Sequence, residues 1–547
     1  MDLSRNRSHI LFLILTVITG VALLFPFHDF QLHIAQGDHG RDLYCFRAVM
    51  DGQLPYRDFW WIYGPLMPYY YAACFFLTGV NIHSVLIGYL AVFFLAGVGI
   101  FWALSALVSP VIAFTGAAWF WVFTSPFEHT YNHVGGILAS VMIIGAVFHY
   151  VKTREFRYLL LGQISIFFLA LIKLNFGISS LLAFLLSVAV INRTYGVQWG
   201  VRQRRGFFWG NGIVLGATAA VYTALLAGLP FYIVRQCFPY LSEDHPFHAT
   251  FPEALRNYGQ SFVHLLNTHW AHYVALAIMS LAVLTIAFDW RKRKWTAFLK
   301  EQFLMTMAAI AIFCLFNWHE FLASGVAYRS FWIQPFQILA VFILIGTALR
   351  DRPKAAVCAV CLVLFASACI RHGIRVEFAR FFKRPLQRLS MERGGVYTTN
   401  SPEWLSTVRY STEYLEKLMK KDEAFLALVD DALYYFLAGQ NSPTRQLAIC
   451  NHLNIREEQE QEIIRGLQDK NVRYILLSNR YNSTDPSMGV FGQTYCPLLY
   501  RYILEHYHVV FFMGEWQKPP KWFENHGVKI FKRNDPAASA RASGQDR

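Results

Sequence analysis

Between Gly37 and Leu66, carboxylates, arginines and glycines are crowded into one loop between two hydrophobic spans. It reads Gly37-Asp38-His39-Gly40-Arg41-Asp42, then an apolar stretch to Met50, then Asp51-Gly52-Gln53-Leu54-Pro55-Tyr56-Arg57-Asp58-Phe59, and it closes on Tyr63-Gly64-Pro65-Leu66. Ionisable groups at a bilayer are costly to keep and tend to be functional. Asp38 carries two readings of equal weight. It is a general base that takes a proton from an incoming hydroxyl or amine, or it is the N-cap of a helix starting near Gly40. Asp42 stands next in line for the catalytic role. Asp51 and Asp58 fall in turn chemistry, Asp51-Gly52 and Pro55-Tyr56.

A second polar stretch, Ser125-Pro126-Phe127-Glu128-His129-Thr130-Tyr131-Asn132-His133, is dense in ligand-type groups. Glu128 could bind a metal, orient an acceptor or tune the ionisation of Asp38. His129 and His133 are spaced i, i+4, which on a helix presents both to one ion. The blander arrangement, interfacial histidines bonded to backbone and water, is the commoner one. Lys173 and Asn175 sit at the end of a span in Leu171-Ile172-Lys173-Leu174-Asn175-Phe176-Gly177. Such a lysine usually snorkels to the interface, and otherwise it meets a phosphate. Farther on, Asn317-Trp318-His319-Glu320 and Tyr328-Arg329-Ser330-Phe331-Trp332 bring a second cation among aromatics. Arg329 could clamp a phosphate bidentately, and Arg41 and Arg57 offer the same service from the first loop. Cations converging with two carboxylates on one membrane face suit a substrate bearing a lipid-linked phosphate.

The elements that must hold these groups are set by composition. Of 547 residues, 55% are hydrophobic and only 15% charged, against about a quarter charged in a soluble protein. Apolar runs near the ~20 residues that cross a bilayer recur through the first 370 positions. The net charge of +14 belongs to clusters between spans, where it sets orientation, so nucleic acid is not the expected partner. Spans are expected at 10–27, 84–107, 110–124, 134–151, 158–175, 176–192, 207–228, 269–288, 302–317, 331–349 and 354–371, eleven in all. Residues 65–79 are apolar too. If they crossed, the clusters around Arg154, Arg204, Arg293 and Arg352 would lie outside, against the positive-inside rule. They are therefore expected along the membrane surface, amphipathic or re-entrant.

From Pro402 the pattern becomes soluble. Helices are expected at 402–421, 431–438, 456–469 and 497–507, and strands at Ala424–Val429, Val472–Leu477, Val509–Met513 and Val528–Phe531. Strands alternating with helices imply a small α/β domain. Cys450 and Cys496 would pair if that domain is extracytoplasmic. Cys358-x-x-Cys361 lies inside a hydrophobic helix, where packing is the expected role. No P-loop, dinucleotide fingerprint, H-E-x-x-H or G-x-S-x-G motif is present, which argues against a nucleotide-driven pump.

Several short motifs together resemble the GT-C superfamily of integral-membrane glycosyltransferases that use polyprenyl-phosphate sugars. The nearest resemblance is to family 39, with the protein O-mannosyltransferases and aminoarabinose transferases. The motifs are Asp38-x-Gly40, Gly52-x-x-Pro55-Tyr56-Arg57-Asp58-Phe59, Tyr63-Gly64-Pro65-Leu66, the second-loop acid Glu128, Lys173-Leu174-Asn175-Phe176-Gly177 and Gly325-x-x-Tyr328-Arg329-Ser330. Leu433–Gly439 with Pro443-Thr444-Arg445 looks like the opening of that family's outer domain. The resemblance implies an inverting displacement in which a first-loop carboxylate, here Asp38, deprotonates the acceptor as the lipid phosphate leaves. Many relatives carry Asp-Glu where this chain has Asp38-His39, which turns attention to Asp42 or Glu128 as the partner acid. Some relatives use a divalent ion and others none.

The expectation is a polytopic α-helical membrane protein of GT-C type with a C-terminal soluble α/β domain. Residues 1–371 form the transmembrane part, 372–401 a juxtamembrane linker, 402–534 the extracytoplasmic domain and 535–547 a disordered tail. It sits in the inner (plasma) membrane with a cytoplasmic N-terminus, and moves a sugar from a polyprenyl-phosphate donor to a lipid, glycan or protein acceptor. Asp38, Glu128 and Asp42 are the catalytic candidates. Arg41, Arg57, Tyr63, Lys173, His319 and Arg329 are the substrate-binding ones, and Glu128, His129 and His133 the candidate ligands of a divalent metal ion. The rivals are a lipid or sugar transporter and a non-catalytic envelope scaffold.

Overall fold

A computed structural model describes residues 3–25, 30–34, 37–124, 131–238, 302–320, 327–350, 352–381, 387–398, 401–420, 423–449, 455–480, 489–517 and 524–534, with Arg256 and Leu453. The expected span 269–288, Cys450, and most of the second polar stretch, including Glu128 and His129, lie outside the described residues.

The transmembrane part is built from α1 (Leu3–Leu24), α4 (Ile82–Ser105), α5 (Pro110–Phe123), α6 (Tyr131–Thr153), α7 (Phe156–Ile172), α8 (Leu174–Tyr195), α9 (Val201–Leu226), α11 (Gln302–Asn317), α12 (Gln334–Ala348) and α13 (Lys354–Phe381). Among the described residues seven helices are long and apolar enough to cross a membrane, and α5, α7 and α11 are shorter apolar helices. Between α1 and α4 run α2 (Gly37–Met50) and α3 (Leu66–Thr78), and α10 (Phe231–Cys237) follows α9.

α3 has 13 residues and is therefore about 20 Å long, short of a ~30 Å hydrocarbon core. Its two ends are held on the same face. Gly64, just before it, donates its N–H to Ile172 O at the end of α7 (2.8 Å). Phe75 near its C-terminus stacks on Phe436 of the soluble domain at 6.0 Å. α3 is thus too short to cross a hydrocarbon core and is tied at one end to α7 and at the other to the soluble domain.

The basic clusters around Arg154 and Arg204 occupy the opposite end of the bundle, and the one around Arg293 lies outside the described residues. There the Arg154 guanidinium lies over the Tyr195 ring, Tyr150 donates to Asn192 at 2.5 Å, and the Trp199 indole donates to Tyr150. Charge and aromatic belt together mark this end as an interface.

The soluble domain comprises α14 (Pro402–Leu418), β4 (Leu426–Leu428), α15 (Leu433–Leu437), α16 (Glu457–Asp469), β5 (Tyr474–Ser478), α17 (Pro497–His506), β6 (Tyr507–Met513) and β7 (Val528–Arg533). Its four strands run in the order β4-β5-β7-β6, with β4 and β5 parallel and β7 antiparallel to both its neighbours. The expected strands and helices are all present. A second, three-stranded sheet was not expected. β2 (Gln387–Met391) and β3 (Gly394–Thr398) form a hairpin within the segment read as a linker, and β1 (Gln31–His33) adds to β3 in parallel. A three-residue strand carries too little alternation to read in a sequence.

α2 is the element around which the two halves close. Every residue from His39 to Val49 is buried. Phe46 stacks on Tyr71 of α3 at 4.5 Å, and on its other flank Tyr44 meets Tyr435 at 5.2 Å. Gly40 abuts Leu433 so closely that a Cβ would fall 2.7 Å from the leucine's own. Arg47 donates to Tyr435 O, Gln440 O and Asn441 Oδ1 at 3.2, 2.6 and 2.5 Å. The first loop and the soluble domain therefore share one face of the molecule and one continuous core.

Candidate active site

α2 begins at Gly37, which places Asp38 inside its first turn, where a carboxylate is favoured by the helix dipole. One turn on, Arg41 reaches back to Asp38 (Nη1–Oδ1 2.8 Å) and sideways to Asp42 (Nη2–Oδ1 2.7 Å). The three differ in access. The Asp38 side chain is 53% exposed and that of Arg41 only 4%, while Asp42 is wholly buried. Burial pushes the Asp42 carboxyl up to about 7 against the pull of Arg41. Its second oxygen, Oδ2, has no hydrogen-bond partner among the described residues, so the proton has an evident seat.

The rest of the first loop is folded to bring aromatics over this group. Gly52 turns the chain at φ +86°, and Asp58 accepts from Leu54 N at 2.7 Å, the turn role expected of it. Tyr56 donates to Tyr63 O at 2.6 Å, and the Trp61 indole donates to Gly64 O at 3.0 Å. Gly64 is required here, because a Cβ would stand 2.0 Å from Leu171 O. The guanidinium of Arg41 consequently faces the rings of Trp60, Trp61 and Tyr63 at 5.7, 5.6 and 5.5 Å, in reach of cation–π attraction.

Tyr63 joins this half of the site to the other. Its ring lies 5.6 Å from Lys173 Nζ and edge-on to His133 at 5.1 Å. Lys173 occupies the break between α7 and α8 in an extended conformation (φ −154°, ψ 104°), while the buried Ile172 carbonyl, already accepting from Gly64, also accepts from Asn132 at 3.0 Å. The ammonium pairs with Glu320 at 2.6 Å and lies 3.4 Å from His133 Nε2. Phe176 and Trp332 wall it, each 5.2 Å away.

Asn175 fixes the neighbouring groups. Its Nδ2 donates to Glu320 at 3.1 Å and to His319 Nε2 at 2.9 Å. That leaves the His319 proton on Nδ1, which donates to Phe316 O at 2.9 Å. Burial lowers the His319 pKa, in keeping with a neutral ring. Arg329, on the 3₁₀ helix Ala327–Ile333, is near enough for its charge to act on Lys173.

The structure brings together Asp38, Arg41, Asp42, Tyr63, His133, Lys173, His319 and Arg329. Arg57 pairs instead with its neighbour Asp58 (3.0 Å), its own side chain 53% exposed. Sequence reasoning assigned no role to Glu320, although an acid three residues past the end of a span was a visible signal. It also assigned nothing to Arg47, whose partners are set by folding alone. Among the described residues no three His, Cys, Asp or Glu side chains gather as metal ligands. His133 fits a metal poorly, because the lone pair on its Nε2 faces the Lys173 ammonium.

No family model and no curated protein matches the chain. Solved structures do match over most of its length. ArnT from Cupriavidus metallidurans in the apo state aligns with a TM-score of 0.52 at 12% identity, covering 95% of this chain and 97% of that one. The Archaeoglobus fulgidus oligosaccharyltransferase in the apo form aligns at 0.51 and 11% identity, covering 95% and 76%. AglB from the same organism, in complex with an inhibitory peptide and a dolichol-phosphate, aligns at 0.50 and 12% identity, covering 93% and 74%. At these identities the likeness is one of fold. The chain shares the fold of these structures, a bundle of apolar helices joined to a small α/β domain.

Proposed function

We propose that this protein is an integral-membrane glycosyltransferase that moves a sugar from a polyprenyl phosphate to an acceptor on the extracytoplasmic face of the inner membrane. The observation that carries the reading is the meeting, across the single ring of Tyr63, of an acid–arginine group on α2 and a lysine–glutamate group at the α7–α8 break. An accessible carboxylate and a buried cation on one face are what an acceptor and a lipid phosphate require, and the neighbour AglB was solved with a dolichol-phosphate.

In this reading Asp38, exposed and one turn from Arg41, takes the proton of the acceptor hydroxyl or amine. The acceptor atom attacks the anomeric carbon from the side opposite the phosphate, so the configuration inverts. The C–O bond to phosphate breaks and the electron pair leaves on the lipid phosphate. Lys173 has three N–H donors. Glu320 and His133 engage two, and the third serves a phosphate oxygen beside Arg329. Asp42 holds Arg41 in place, and Glu128, outside the described residues, retains its expected assisting role. The basic end of the bundle is then cytoplasmic, and the N-terminus with it.

The test is a transfer assay with purified protein and a panel of polyprenyl-phosphate sugars, run with and without chelator, reading the anomeric configuration of the product. A single donor giving an inverted linkage supports the proposal. Retention of configuration, or no turnover with any polyprenyl donor, overturns it. Loss of turnover on chelation would assign a metal that the described residues do not predict.

A further inference from the structure

Three consecutive residues at the start of α6 reach three different parts of the site. Successive helical residues point about 100° apart, so a single turn can face several neighbours. The Tyr131 ring stacks on His39 of α2 at 4.4 Å, and the Tyr131 carbonyl accepts from the Tyr71 hydroxyl of α3 at 3.0 Å. His133 Nε2 lies 3.4 Å from Lys173 Nζ. Asn132 stands between the two, wholly buried, with its Nδ2 donating to Ile172 O at 3.0 Å.

That carbonyl belongs to the peptide plane that carries Lys173. Ile172 O and Lys173 N are edges of one rigid unit. Gly64 N–H and Asn132 Nδ2 hold the oxygen, at 2.8 and 3.0 Å. On the other edge Lys173 N–H donates to Leu169 O at 2.7 Å. With the plane pinned along both edges, the Lys173 backbone is fixed although neither α7 nor α8 contains it.

Stability does not account for Asn132. A carbonyl oxygen can only accept, so the amide must turn its NH₂ toward Ile172 O. Its own Oδ1 is then buried without a hydrogen-bond partner among the described residues. The bond it makes is the second to an oxygen that Gly64 already serves. One added hydrogen bond stabilises by no more than an unmet buried acceptor costs, and an apolar side chain of similar shape would leave neither. Resting on the glycosyltransferase reading, we propose that Asn132 is a positioning residue for transfer, which sets the Ile172–Lys173 plane and with it the spacing between the phosphate-binding lysine and the Asp38 group on α2.

The experiment compares Asn132→Leu with wild type, both as the full chain in lipid nanodiscs. Sugar transfer from the polyprenyl-phosphate donor, melting temperature and hydrogen exchange are measured on each. Small misplacements of reacting groups are costly, so kcat should fall about tenfold or more while the donor KM stays within about threefold. The melting temperature should stay at or above that of wild type, with faster exchange in the peptides covering Gly64 and Lys173. A lowered melting temperature assigns Asn132 to the fold and overturns the proposal. Transfer at the wild-type rate also overturns it, and so does a raised KM with kcat kept, which would place Asn132 in donor binding. No turnover by wild type with any polyprenyl donor is instead the failure of the transfer reading. Exchange then decides the placement of Lys173: faster exchange at Gly64 and Lys173 in the variant upholds it, and unchanged exchange there overturns it.

Discussion

Asp42 and Lys173 are both buried charges, and they are held in opposite ways. Asp42 has one paired and one unpaired oxygen, and its pKa rises from 3.8 to about 7. A carboxyl that binds its proton more tightly when folded favours the folded state while protonated. Its contribution is greatest below about pH 4, falls as the pH rises to about 7, and is flat beyond. The slope is worth on the order of a few kcal/mol at most. Melting curves across that window should flatten in Asp42→Asn. Lys173 is neutralised by Glu320, and breaking such a pair from one side typically costs about 3–5 kcal/mol. Glu320→Leu should therefore lower the melting temperature sharply, and Lys173→Met in the same chain should recover much of the loss without restoring transfer. At this scale the sequence showed which residue types were unusual and not whom they would meet. Asn175 and Glu320 are 145 positions apart, and nothing local announces the contact. Arg57 was read as a phosphate ligand from its motif, yet an adjacent Asp58 was the simpler partner.

Elements were more legible than contacts, because hydrophobic runs and alternation are local. Counting basic clusters argued that residues 65–79 do not cross, and α3 has 13 residues, fewer than a span needs. What could not be read was why Tyr63-Gly64 turns where it does. The answer is the Leu171 carbonyl, which leaves no room for a side chain at 64. Gly64→Ala should cost about 1–3 kcal/mol through overpacking and displace Tyr63 from between its two cations. A lowered melting temperature with a larger proportional loss of transfer would show both. Unchanged stability would mean that α7 can withdraw. β1 was equally hidden, since three residues pair only because the hairpin β2–β3 is already there.

For the whole molecule, the first loop and the soluble domain are one structural unit. α2 is buried between them, and Arg47 ties it to carbonyls nearly four hundred residues away. Arg47→Ala should raise hydrogen exchange in α2 and in 433–441 together, since local opening releases cooperative units. Exchange confined to one partner would contradict the coupling. The acid–arginine and lysine–glutamate groups meet on the face that α2 shares with the soluble domain, away from the Arg154 end of the bundle. The most direct test of that arrangement is the rate of sugar transfer by Asp38→Asn at saturating donor, measured beside its affinity for polyprenyl phosphate. General-base catalysis contributes about 10²–10⁴-fold, so the rate should fall by that factor while lipid affinity stays within twofold. A variant that transfers at the wild-type rate contradicts the account.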